Sequence, residues 1–88
     1  MDGLALLAWN LRRLRTERRI SQLRLGKEAE VGRVHVSEIE NQRGNPTVVL
    51  LDRFATILDV PLSEFFRLPE QGAKRPKVLR GGRPRSKS

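Results

Sequence analysis

The chain has 88 residues, enough for one domain with a modest core, and it has no cysteine and a single histidine, His35. That excludes disulfides and thiolate metal sites, and with one histidine an all-protein zinc or iron site is not expected. The formal net charge is +8, but residues 71–88 hold Lys74, Arg75, Lys77, Arg80, Arg83, Arg85 and Lys87 with no acid, while residues 1–70 set eleven bases against all ten acids. A basic total points to an anionic partner such as nucleic acid, yet the near-neutral remainder must be argued by position.

Leu4, Leu7, Leu11 and Leu14 recur at spacings of three and four, which predicts a first helix from about Ala5 to Arg18. Trp9 flanks that stripe, and Arg12, Arg13, Arg15, Arg18 and Arg19 fill the other faces. The opening Met1–Ala8 is too short for a leader and lacks a basic lead-in. No apolar run approaches the ~20 residues of a membrane span, so a cytoplasmic location with no membrane partner is expected.

Ser21 is a suitable N-cap for a second helix over about 22–29, with Leu25 and Ala29 inward. Glu30-Val31-Gly32 forms a short connection. A third helix follows over about 33–41 with Val36 and Ile39 on one face. Gln42 to Pro46 reads as a loop. Thr47 caps a fourth helix, for which Val48, Leu51, Phe54, Ala55 and Leu58 are expected inward. Val60-Pro61 breaks it, and Leu62 to Phe66 form a short fifth helix. No segment alternates at period two, so no sheet is expected. Residues 69–88 hold three prolines, three glycines and many bases. Such a stretch cannot bury enough apolar surface to offset its ordering entropy and is expected to be a disordered tail.

Two helices of about eight residues joined by three spell a helix-turn-helix over about 22–41, whose second helix can lie in the DNA major groove. The pair needs a close approach, which Gly26 permits, and Val31, Val36 and Ile39 fill the wedge. The strings Leu11-Arg12-Arg13-Leu14-Arg15, Ser21-Gln22 with Leu25-Gly26, Val36-Ser37-Glu38-Ile39-Glu40-Asn41, Asn45-Pro46-Thr47 and Val60-Pro61-Leu62-Ser63-Glu64-Phe65-Phe66 occur in order. In these the chain resembles the lambda-repressor-like, or Cro/XRE-type, helix-turn-helix proteins from about Leu7 to Phe66.

The resemblance implies an all-α, five-helix DNA-binding domain over residues 1–68 and a sequence-specific, double-stranded-DNA-binding transcription regulator. It implies that Arg33, Val34, Ser37 and Glu38 face base edges. Arginine can fork onto guanine, glutamate can accept from cytosine, and valine can pack on a thymine methyl. It places Gln22, Asn41 and Arg43 on phosphates and makes Arg15 with Glu40 a structural pair between helices one and three. Family members dimerise through the C-terminal end, so Leu62, Phe65, Phe66 and Leu68 are the homodimer candidates, which two-fold operators would match.

The chain departs from the family where Glu30 stands for a turn glycine, Gly32 for a Ser/Thr cap and Asp59 for a helix-ending glycine. The Glu30 departure should cost about 1 kcal/mol. The tail string Arg80-Gly81-Gly82-Arg83-Pro84-Arg85 resembles the AT-hook core with one extra glycine. Three readings stay open: an operon regulator, an antitoxin that also binds a toxin, and an interaction module that has lost DNA binding. RNA polymerase is a further partner under the first. No cofactor, metal, small-molecule ligand or catalysis is expected, because the chain has neither a phosphate-cradling glycine loop nor paired carboxylates in an obvious cleft.

Overall fold

The computed structural model describes residues 1–69. The expected basic tail lies, from residue 70 on, outside the described residues. The described residues form α1 (Gly3–Glu17), α2 (Gln22–Glu28), α3 (Arg33–Glu40), α4 (Val48–Leu58) and a 3-10 helix (Leu62–Phe66), with no strand among them. The expected all-α class holds, with the fifth element wound as 3-10 rather than α.

Each start has a local cause. Asp2 Oδ1 accepts from Ala5 N at 2.9 Å, which carries α1 two residues earlier than the leucine spacing suggests. Ser21 Oγ accepts from Arg24 N and Thr47 Oγ1 from Leu50 N, both at 3.0 Å. These side chains satisfy N–H groups that the first helical turn leaves without partners. Gly32 offers no such cap to α3.

All four α-helices end in one way. Arg19, Glu30, Gln42 and Asp59 take φ of 57°, 64°, 63° and 59°. The N–H one residue further on returns to a carbonyl five residues back: Ile20 to Arg15, Val31 to Gly26, Arg43 to Glu38 and Val60 to Ala55, at 2.8–3.0 Å. This is the Schellman arrangement, which usually takes glycine at the left-handed position. Here none of the four is glycine, and three of the four following residues, Ile20, Val31 and Val60, pack on the core instead.

The core gathers Leu7, Leu11 and Leu14 from α1, Ile20, Leu25 and Ala29 around α2, Val36 and Ile39 from α3, Leu50, Leu51, Phe54, Ala55 and Leu58 from α4, and Phe65. Val48, expected inward, is 67% exposed and Val49 beside it 66%, and in the first turn of α4 it is Leu50 that is buried in the core. Asn10 is buried on the leucine stripe of α1. Its Nδ2 donates to Phe65 O and Arg67 O, each at 2.9 Å, and its Oδ1 accepts from Arg13. That satisfied amide ties the 3-10 helix onto α1.

Candidate nucleic-acid interface

The α2–α3 pair depends on Gly26. A Cβ there would sit 3.0 Å from Arg33 N and from the carbonyl carbon and oxygen of Gly32. All three are backbone atoms, so no side-chain rotation relieves the clash. The missing methyl therefore sets how closely α3 lies against α2. Val36 and Ile39 point from α3 into the core, and Val31 packs against it from the turn.

The opposite face of α3 is open. Arg33, Val34, His35 and Glu38 are exposed and Ser37 is half-buried. Val34 is 59% exposed, an apolar β-branched side chain turned outward in the first turn. Among the described residues neither Arg33 nor Glu38 joins an ion pair. The four residues expected at base edges thus share one side of one short helix.

The three residues expected on phosphates differ from one another. Arg43 is exposed and follows the left-handed Gln42, and its guanidinium carries no ion pair among the described residues. Gln22 is half-buried and its Nε2 donates to Glu40 Oε1 at 3.0 Å, which among the described residues leaves one amide hydrogen over. Asn41 turns its Nδ2 back on α3, to Ser37 O at 2.9 Å and Ser37 Oγ at 3.3 Å. The Asn41 amide nitrogen is thus engaged on its own helix rather than turned outward to a phosphate.

Beneath this surface lies a buried carboxylate. Glu40, whose side chain is fully buried, accepts from Arg15 Nε at 2.7 Å, Arg15 Nη2 at 2.9 Å, Gln22 Nε2 at 3.0 Å and Arg12 Nε at 3.3 Å. Arg15 Nη1 also donates to Ile20 O at 3.0 Å. Burial pushes the Glu40 carboxyl up, but hydrogen bonds from Arg15 and Gln22 and the charges of Arg15 and Arg12 outweigh it and hold the group below its ordinary value. Arg12 and Gln22 were not expected in this network. Arg12 shares a face with Arg15 at a spacing of three, which is the only signal the sequence carries for it.

Two further arginines act on helix ends. Arg18 Nε donates to Leu58 O at 2.6 Å, and Arg53 Nη1 donates to Ala29 O at 3.2 Å, at the very turn of the α2–α3 pair. These pairs bring residues 40 and 24 positions apart together, and nothing in local sequence announces them.

The four dimer candidates fall on different sides of the surface. Phe65 lies wholly in the core, and Leu62 packs against the core while half-buried. In the 3-10 helix neighbouring side chains point apart, so burying Phe65 turns Phe66 out. Phe66 is 47% and Leu68 69% exposed. The apolar surface offered by this end therefore narrows to those two. No helix among the described residues is long and apolar enough to cross a membrane.

Comparison with known proteins gives the same arrangement. The helix-turn-helix family HTH_3 matches residues 11–65. The HTH-type transcriptional regulator SutR of Escherichia coli K12 is 37% identical over 71 residues, 80% of this chain, and the chain spans about 40% of that protein's length. A hypothetical transcription factor from Neisseria, NHTF, has a TM-score of 0.73 at 31% identity, over 80% of this chain and 79% of that one. The restriction-modification controller protein C.AhdI from Aeromonas hydrophila has a TM-score of 0.69 at 32% identity, over 72% of this chain and 91% of that one. The match covers the buried Glu40 network, the α2–α3 pair and the open face of α3 alike, and the chain belongs to the HTH_3, Cro/XRE-type helix-turn-helix family of transcription regulators.

Proposed function

We propose that the chain reads a specific double-stranded DNA sequence by laying α3 in the major groove, and that it does so as a homodimer on a two-fold operator. The observation that carries this reading is the open face of α3. Arg33, Val34 and Glu38 stand exposed, and among the described residues without ion-pair partners, on a helix whose spacing from α2 is set by backbone contact at Gly26. A helix seated this closely on its neighbour can present its side chains to base edges in one register, which is what discrimination requires. Arg33 serves guanine, Glu38 a cytosine amine and Val34 a thymine methyl, with Ser37 beside them. Arg43 and the spare amide hydrogen of Gln22 serve phosphates, which fix register without reading sequence. Asn41 joins them only by leaving Ser37.

Phe66 and Leu68 supply the dimer contact in this reading, and Phe65 anchors them from the core. The mechanism of regulation is steric: an operator-bound dimer occludes polymerase and represses, in the manner of an operon controller. The resemblance to a restriction-modification controller supports that role. Such a protein works in the cytoplasm, where its DNA is.

Selection of the full chain against random duplex DNA tests the reading. The expected result is a palindrome with half-site centres about one helical turn apart. Replacing Arg33 by Ala should relax preference at one base position in each half-site, at a cost of ~1–3 kcal/mol. Enrichment of no sequence at all would sink the proposal.

A further inference from the structure

Helix α1 and its C-cap together carry four arginines, Arg12, Arg13, Arg15 and Arg18, and three of them are consumed by the fold. Arg13 binds Asn10 Oδ1 and Glu64 Oε1 through Nη2 and pairs with Glu17. Arg15 gives two bonds to Glu40 and one to Ile20 O. Arg18 caps Leu58 O, reaches Leu14 O and pairs with Glu17. Arg12 is different. It donates only through Nε, to Glu40 Oε1, at 3.3 Å the longest of the four contacts on that carboxylate. Its two terminal nitrogens have no partner among the described residues. Its side chain is 43% exposed, against 13% for Arg15.

The charges around Glu40 do not balance. Two guanidiniums face one carboxylate, and the better-placed Arg15 already holds it with a bidentate grip, the stronger geometry. Arg12 is thus the surplus charge, tethered by its inner nitrogen with its outer fork turned to solvent. Gln22 donates to the same Glu40 oxygen as Arg12, so the two donors stand side by side. Arg12 is the first arginine of α1 and Gln22 the first residue of α2.

We propose that Arg12 is a further phosphodiester-binding residue, which closes with its terminal nitrogens on the same backbone phosphate of duplex DNA that the free amide hydrogen of Gln22 serves. This rests on the DNA-reading function proposed above. Glu40 then acts as the positioning residue for both donors. It keeps the Arg12 side chain from wandering and so lowers the ordering entropy that a long flexible cation loses on binding.

The test compares the full chain with Arg12→Gln and Arg12→Lys on a duplex oligonucleotide carrying the selected operator, with affinity measured from about 50 to 200 mM salt. Arg12→Gln is expected to weaken binding by a similar factor on every operator variant. Its plot of log affinity against log salt should be shallower by about 0.9 per bound protomer, the value of one released counterion. Arg12→Lys should keep the slope of the unmutated chain. A slope left unchanged by Arg12→Gln, with operator preference intact in the unmutated chain, would overturn the inference and leave the DNA-reading function standing. No sequence preference in the unmutated chain would overturn both. Should Arg12→Gln loosen the fold, the side-chain nitrogen resonances of the unmutated protein give an independent reading. Those of Arg12 should shift on adding duplex while those of Arg13 and Arg18 stay, and an unmoved Arg12 signal also overturns the inference.

Discussion

Arg15 and Glu40 meet through two hydrogen bonds of 2.7 and 2.9 Å across 25 residues of chain, which fastens α1 to the end of α3. The carboxylate has no exposed surface; its Oε1 accepts from Arg15, Gln22 and Arg12 and its Oε2 from Arg15. A buried pair of this kind adds modest net stability, because desolvation offsets much of the attraction, but losing one partner leaves a stranded charge.

Arg15→Met should therefore destabilise the domain by about 3–5 kcal/mol. Arg12 and Gln22 remain to satisfy Glu40, which places the effect at the lower end. The double variant Arg15→Met/Glu40→Leu should recover most of the loss. Urea unfolding of the three proteins checks this, and equal losses in the single and double variants would mean that packing, not charge, is what Arg15 supplies.

The same network sets an acid limit. Glu40 is held below the ordinary carboxyl value of 4.5, so on acidification the unfolded chain takes up its proton first. The contribution is present in full above about 4.5 and is lost as pH falls through the lower folded value. Glu64, held down by the hydrogen bond from Arg13 and the charges of Arg67 and Arg13, acts in the same direction at a half-buried site. Unfolding midpoints between about pH 3 and 7 should fall towards the acid end in the unmutated chain. Glu40→Gln should flatten that fall without abolishing it.

Gly26→Ala places a methyl 3.0 Å from three backbone atoms of the turn. Either α3 moves away from α2 or the turn distorts, at a cost of about 1–3 kcal/mol. A displaced α3 should also lose operator preference beyond what stability explains. Thermal unfolding together with operator binding separates the two effects, and a variant of normal stability and normal preference would show that the helices tolerate wider spacing.

The left-handed helix ends offer a gain in stability. Glu30, at φ 64°, is a long side chain in a conformation that costs most residues about 1 kcal/mol, while Asp59, at φ 59°, belongs to a type that tolerates it better. Glu30→Gly should raise stability by up to about 1 kcal/mol, and Asp59→Gly by less, because added freedom in the unfolded chain offsets part of the gain. In a domain of this size 1 kcal/mol corresponds to roughly 4–8 °C in melting temperature. A larger gain at Asp59 than at Glu30 would contradict the steric ordering.

Much of this molecule is written locally in its chain. The leucine spacing of α1, the Ser21 and Thr47 caps, the small residue at Gly26 and the Pro61 break all act within a turn or two of themselves, and such short-range causes suffice to place the helices in order. The Asp2 cap was equally legible but stands ahead of the first leucine. The helix ends were harder to read, because the left-handed positions are filled by Arg19, Glu30, Gln42 and Asp59 instead of glycine, and the apolar Ile20, Val31 and Val60 mark them more quietly.

Only the tertiary structure decided which polar side chains were spent. A helical period says which residues share a face, not what that face meets. Whether an arginine on α1 or at its C-cap grips Glu40, caps Leu58 or keeps its fork free depends on elements tens of residues away, brought near by burial of the common core. The same reason separates Phe65 from Phe66. Both are apolar, and only the Asn10 bonds to Phe65 O and Arg67 O, with the packing of α1 beneath them, determine which ring fills the core and which stands at the surface.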